Sequence, residues 1–371
     1  MVQDNLGMAA ARIVVIGIGG AGSNAVNRMI DEVGETAPVE FYVMNTDIQS
    51  LLGSKVIPSH QFVLGRELTN GLGAGGDPDI GRRSAEASAE EIRNIVRGAN
   101  MVFLAAGMGG GTGTGATPVV AKICKEEKAL TVAIVTRPFG FEGKQRIKKS
   151  IAGLNALKEA VDSIIIVSND KLLMEKGNEV ISNAFLESDR VLAQSVKTIV
   201  DLITVPGIIN LDFADIRNTL QDSGVALIGY GMGEGPTKAI DAATAAINSP
   251  LLETPITGAR RAICAVTCGA NVSLYEAQEC VNHIIEEAGN AVDVKLGVSI
   301  NDQFSDQIIV SIIASDFPEE YDLTNKEEDE ENEDNEVKLK PQEIKPISET
   351  KDEEEKEEDI LPGFLKNKNI E

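Results

Sequence analysis

Residues 107–115, reading G-M-G-G-G-T-G-T-G, constrain the fold of this chain more than any other segment. Six glycines in nine positions follow the apolar run Met101-Val102-Phe103-Leu104-Ala105-Ala106 and precede the helix-like Thr117-Pro118-Val119-Val120-Ala121-Lys122-Ile123. A strand, a glycine run and a helix in that order place successive amides around one anion, with the positive end of the helix behind them. Glycine lets the backbone come within hydrogen-bond distance of a polyphosphate, and Thr112 and Thr114 bring hydroxyls. A flexible linker does not sit between a buried strand and a helix that opens on proline. The stretch therefore predicts a phosphate cradle.

Around it, apolar β-rich runs recur at 12–17, 41–44, 61–64, 101–106, 130–135 and 163–167, mostly with helical patterns between them. Continuous rather than alternating apolar strands separated by helices predict an α/β fold whose parallel sheet is covered on both faces. Ligands of such sheets bind at the carboxyl ends of the strands, where the glycine run falls. From 178 to about 204 a long amphipathic pattern carries Ile181, Phe185, Leu192, Val196, Ile199, Val200 and Ile203, and Pro206-Gly207 stops it. This predicts a long central helix. Strands at 261–268, 291–300 and 307–314, with a helix opened by the capping box Ser273-Leu274-Tyr275-Glu276, predict a second, smaller α/β domain. The expected divisions are 1–177, 178–205, 206–317, an acidic linker 318–358 and a terminal peptide 359–371.

Charge is unevenly placed. Residues 318–371 hold 21 Asp or Glu against 8 Lys, more than half of the formal net charge of −24. Such a segment cannot bury enough apolar surface to offset chain entropy and is expected to be disordered. An acidic chain also argues against nucleic acid as a partner, because counterion release needs clustered Lys and Arg. The nucleotide implied by the cradle must then be held by backbone dipoles and a metal ion. Cys124, Cys264, Cys268 and Cys280 come without a recognisable signal peptide, which fits a reducing cytoplasm. With only His60 and His283 beside them, core packing is the expected role of the cysteines. No apolar run reaches membrane-spanning length, so direct insertion is not expected.

Two further glycine loops, 17–22 (G-I-G-G-A-G) and 71–77 (G-L-G-A-G-G-D), share the sheet. The first matches the dinucleotide fingerprint, and Asp47 is available as the acid at the end of the second strand. A dinucleotide site has no use for the second, richer loop, and the P-loop signature is absent because Lys144 precedes Gln145. Several loops wrapped around one mononucleotide triphosphate fit the set.

These residues resemble the FtsZ family, the prokaryotic tubulin relatives that build the division ring. The resemblance runs from about residue 12 to 317 and rests on 17–24, Asn45-Thr46-Asp47, 72–78, 137–143, 210–215 and the tubulin-type G-G-G-T-G-T-G of 109–115. It implies a tubulin-like fold and an assembly-dependent GTPase using GTP/GDP and Mg²⁺. Gly19, Gly20 and Gly22 would bring backbone to the nucleotide and Asn24 would reach the guanine. Gly109, Gly110, Gly111, Thr112, Gly113 and Thr114 would hold the phosphates, and Glu142 and Arg146 the ribose side. Phe185 and Asp189 would bracket the base, a carboxylate that accepts from two guanine donors discriminating against adenine. From its place in the apolar stripe, Phe185 also reads as a plain core residue.

The resemblance gives Asn210, Asp212 and Asp215 the catalytic role, toward the next subunit's GTP. Two carboxylates beside a triphosphate in one pocket would oppose binding, since like charges at ~4 Å cost on the order of 4 kcal/mol at an effective dielectric near 20. Placing them on a neighbour removes the difficulty. Asp212 and Asp215 also suit capping of a helix beginning near Phe213. Head-to-tail contacts do not close, so filaments follow. The terminal patch Asp359-Ile360-Leu361-Pro362-Gly363-Phe364-Leu365-Lys366 is similar to the family's partner-binding peptide, with one extra residue and Lys366 where Arg is common. It implies membrane-anchoring division proteins as partners at mid-cell, reached over a tether of roughly 50 residues and several nanometres.

Overall fold

The computed structural model describes residues 11–33, 39–175, 181–205, 207–249, 251–252, 254–269, 271–289, 291–301, 304 and 306–318. The expected acidic linker beyond 318 and the docking peptide lie outside these residues. Among the described residues ten strands form one sheet in the order β3-β2-β1-β4-β5-β6-β7-β10-β8-β9. They are β1 Ile13–Ile18, β2 Val39–Asn45, β3 Gln61–Val63, β4 Met101–Gly107, β5 Leu130–Arg137, β6 Ser163–Ser168, β7 Gly224–Glu234, β8 Arg261–Cys268, β9 Asp293–Ile300 and β10 Gln307–Ser315. From β3 across to β7 every neighbouring pair is parallel. β10 runs antiparallel to both β7 and β8, and β9 is parallel to β8.

All six predicted runs of the parallel half are strands. They are apolar throughout because both faces are covered: Val14, Ile16 and Ile18 enter one core, Ile13 and Val15 the other. Register matters more for function. Ile13 to Ile18 pairs residue by residue with Met101 to Ala106, and Ile18 also stands beside Met44. The chain therefore leaves β1, β2 and β4 at one edge, and the glycine loops emerge side by side. Strand order reverses between β1 and β4, which makes this the crevice where open α/β sheets bind ligands.

One expected boundary is wrong. The helix after β4 spans Thr112–Glu126 and begins inside the glycine run, with Gly111 as its N-cap and Pro118 in its interior. The glycines survive there because another backbone lies against them: a Cβ built on Gly115 would stand 1.8 Å from the carbonyl oxygen of Pro78, at the start of the helix Pro78–Ala87. Only glycine lets these two helices touch.

The central helix spans Ile181–Thr204 and buries Leu192, Val196, Ile199 and Val200. Residues 178 to 180, predicted as the start of this helix, lie outside the described residues. The capping box of the helix Leu274–Ala288 forms in both directions between Ser273 and Glu276. All four cysteines are free and buried. Among the described residues no helix is long and apolar enough to cross a membrane.

Candidate functional site

At the carboxyl edge of the parallel strands the glycine loops pack on one another. A Cβ on Gly19 would meet the amide nitrogen of Gly113 at 3.0 Å, and one on Gly107 would meet Ala21 at 2.8 Å. The loop 71–77 closes the other side: a Cβ on Gly111 would stand 2.8 Å from the Cβ of Ala74 and 2.9 Å from the amide nitrogen of Asp77. Gly20 and Gly110 differ, since a Cβ on either meets nothing within 4 Å. They line open space. Gly22 instead turns against β4, where a Cβ would lie 2.1 Å from the Ala105 carbonyl oxygen.

The two threonines divide their work. Thr114 is buried, and its Oγ1 accepts the Gly109 N–H at 2.8 Å, fixing Gly109 at φ 97°. That hydroxyl shapes the cradle from within. Thr112 Oγ1 is 2.7 Å from Thr46 Oγ1, which ties the start of its helix to the end of β2. Asp47, the acid a dinucleotide site would use, caps the helix Ile48–Leu52 by accepting from Gln49 N at 2.9 Å and Ser50 Oγ at 3.0 Å.

Beyond β5 the chain builds an aromatic wall. Phe139 stacks on Phe141 with centroids 4.9 Å apart and meets Phe185 edge-on, also at 4.9 Å. Phe185 is 42% exposed, so it is a presented face rather than core. One turn further along the central helix, Asp189 is 9% exposed. Burial pushes its carboxyl up to about 6, against the opposing pull of Arg28 and a hydrogen bond from Asn24. Asn24 on the helix Gly19–Val33 and Asp189 on the central helix thus converge. Glu142 accepts the Phe139 N–H at 2.9 Å and pairs with Arg146 one helical turn on. Phe141 was not singled out from the sequence; only its stacking on Phe139 reveals it.

Asn210, Asp212 and Asp215 lie elsewhere. Asn210 Oδ1 accepts the Gly207 N–H at 2.6 Å. Asp212 caps the helix Phe213–Leu220 through Oδ1, which accepts Asp215 N at 2.8 Å, and Asp215 Oδ2 accepts Asp212 N in return at 3.4 Å. Capping uses one oxygen of each carboxylate and leaves Asp212 Oδ2 and Asp215 Oδ1 for another partner. This helix lies at the amino end of the parallel strands: Arg217 reaches the carbonyl of Asn100, immediately before β4. β4 has seven residues, so the acids and the cradle are separated by about 20 Å of strand. The central helix gives a similar figure, since 15 residues from Asp189 to Thr204 rise about 22 Å. Within one chain the acids do not reach the cradle.

Comparison with known proteins gives two family matches. The Tubulin/FtsZ family GTPase domain matches residues 12–175, and the FtsZ family C-terminal domain matches 224–318. An empty FtsZ dimer from M. jannaschii is 39% identical, with 82% of this chain and 88% of that chain covered and a TM-score of 0.77. CetZ1 from Haloferax volcanii, a GDP-bound monomer, is 21% identical over 83% of this chain and 95% of that one, with a TM-score of 0.69. CetZ2 from the same organism, a GTPγS-bound protofilament, is 20% identical over 87% and 99%, with a TM-score of 0.72. The two CetZ structures share the fold.

Proposed function

The chain belongs to the FtsZ family and is a GTP-binding, GTP-hydrolysing cytoskeletal protein; from that premise we propose that it stacks head to tail and hydrolyses GTP only between subunits. One observation carries the reading. The cradle and the acidic loop occupy opposite ends of one rigid sheet and helix, so each can act only with the complementary end of another copy. A relative solved as a dimer and a fold relative solved as a protofilament support self-association.

In this reading Gly20, Gly110 and the amides of the helix Thr112–Glu126 hold the phosphates, and Asn24, Phe185 and Asp189 hold the guanine. The ribose side falls to Glu142 and Arg146. Asp212 Oδ2 and Asp215 Oδ1 of the adjoining copy orient the attacking water and accept its proton. Among the described residues no group of three or more His, Cys, Asp or Glu could hold a metal ion. Mg²⁺ usually keeps several waters and takes substrate phosphate oxygens, so we assign it to the triphosphate, whose charge it would offset. We further propose the division of labour between 1–177, the central helix and 206–317, ring assembly at mid-cell, and anchoring to membrane-attached division proteins through 359–366.

Sedimentation with GTP, GDP or NAD in the presence of Mg²⁺ tests the core of this. Pelleting with GTP alone is expected. Turnover of GTP without any pelleted polymer, or assembly driven by NAD, contradicts it.

A further inference from the structure

The cradle has a cation beside it that none of the roles above uses. Lys149 lies on the helix Lys144–Lys158, and its Nζ donates to the carbonyl oxygen of Gly76 at 2.6 Å. Two other residues on this helix fix where that amine sits. A Cβ on Gly109 would lie 2.9 Å from the backbone oxygen of Arg146, and one on Gly153 would lie 2.4 Å from Cγ2 of Thr114. Lys149 is three residues after Arg146 and four before Gly153, so all three share the face that meets the cradle. Gly76 belongs to the loop that rests on Gly111. The ammonium therefore bridges the seam between the loop 71–77 and the cradle.

Its charge is unmatched. Arg146 is paired with Glu142, Arg82 with Asp79 and Glu86, and Lys125 with Asp162 and Asp222. Among the described residues no carboxylate pairs with Lys149, although the whole chain carries a net charge of −24. An ammonium has three donors and the Gly76 carbonyl uses one. The bond lies open to solvent, and a Cβ on Gly75 or Gly76 would meet nothing within 4 Å, so the remaining donors have room for a ligand. Position decides which part of a nucleotide this is. The base wall of Phe139, Phe185 and Asp189 stands beyond the end of β5, whereas the loop 71–77 bridges to Asp47 after β2, across the cradle from that wall. A nucleotide laid from one side to the other presents its last phosphate to this seam.

We propose that Lys149 is the cation that reads the third phosphate, binding it while holding the loop 71–77 closed, and so sets the preference for nucleoside triphosphate over diphosphate. The proposal rests on the cradle being the GTP site. The test is the affinity of the full chain for GTP and for GDP, measured by calorimetry in wild type, Lys149→Met and Lys149→Arg. Lys149→Met keeps the packing of the alkyl stem and removes the charge. It is expected to weaken GTP about tenfold or more while leaving GDP within about twofold, and Lys149→Arg is expected to restore most of the difference. The ratio is internal to each protein, so a partly unfolded sample does not imitate the result. Equal weakening of GTP and GDP, or no change in either, overturns the role of Lys149 and leaves the nucleotide site standing. A wild type that binds no GTP removes both.

Discussion

The two ends of the central helix are made of opposite materials. At the Asp189 end, backbone amides and glycines without side chains surround space for an anion; at the Thr204 end, the loop that follows offers carboxylates held in a capping box. In the proposed reading the first end holds the triphosphate. The second supplies the proton acceptors. In that reading, separating them by about 20 Å keeps the carboxylates from repelling the substrate during binding and would make hydrolysis conditional on contact with another copy.

Substitutions that affect one end alone sharpen this contrast. The largest effect is expected at the acidic end: Asp212→Asn keeps a good N-cap and should lower GTP turnover at least about 100-fold while GTP affinity stays within about twofold. Stopped turnover with lost binding would place Asp212 in the wrong half. At the glycine end, Gly110→Val projects into open space, so the melting temperature should hold within about 1 °C while GTP affinity falls about tenfold or more, as calorimetry would register. A large drop in melting temperature would mean that Gly110 is a packing glycine like Gly22.

Acid should act on the same end. Asp189 sits at about 6 because burial penalises its ionised form, and that form is the one able to accept both guanine donors. Above pH 6 the carboxylate is in place; as pH falls through 6 it takes a proton, and GTP affinity should fall about tenfold per further unit. Asp189→Asn should show no step at that pH, and a step that persists in the variant would assign the titration to another group. The smallest effect belongs to Thr114→Val, which deletes the acceptor of the buried Gly109 N–H and should cost about 1–2 kcal/mol in denaturant unfolding. An unchanged midpoint would show that the cradle holds its shape without that bond.

Much of this was legible in the sequence because the parallel strands are apolar on both faces and the glycine loops follow them directly. Phe185 and Asp189 lie one turn apart on a helix whose period was plain. What stayed hidden depended on contacts between distant segments. β7 was not foreseen, since Gly229, Gly231 and Gly233 interrupt its apolar run. In the fold they form a strip under the helix Lys238–Ile247, where a Cβ on Gly231 would lie 2.0 Å from the Ala242 carbonyl oxygen. The start of the helix Thr112–Glu126 was misplaced for the same reason: glycine is a poor helix former until a second backbone must pass close by. The second duty of Asp212 and Asp215 was legible as an alternative, and the structure shows that capping leaves one oxygen of each available.

The central claim is that no single copy holds a complete hydrolytic site, and GTP turnover per molecule measured across a dilution series tests it most directly. The rate per molecule is expected to fall toward zero below the concentration at which polymer ceases to pellet, and to rise with pelleted protein above it. A rate per molecule that stays constant through that concentration contradicts the account.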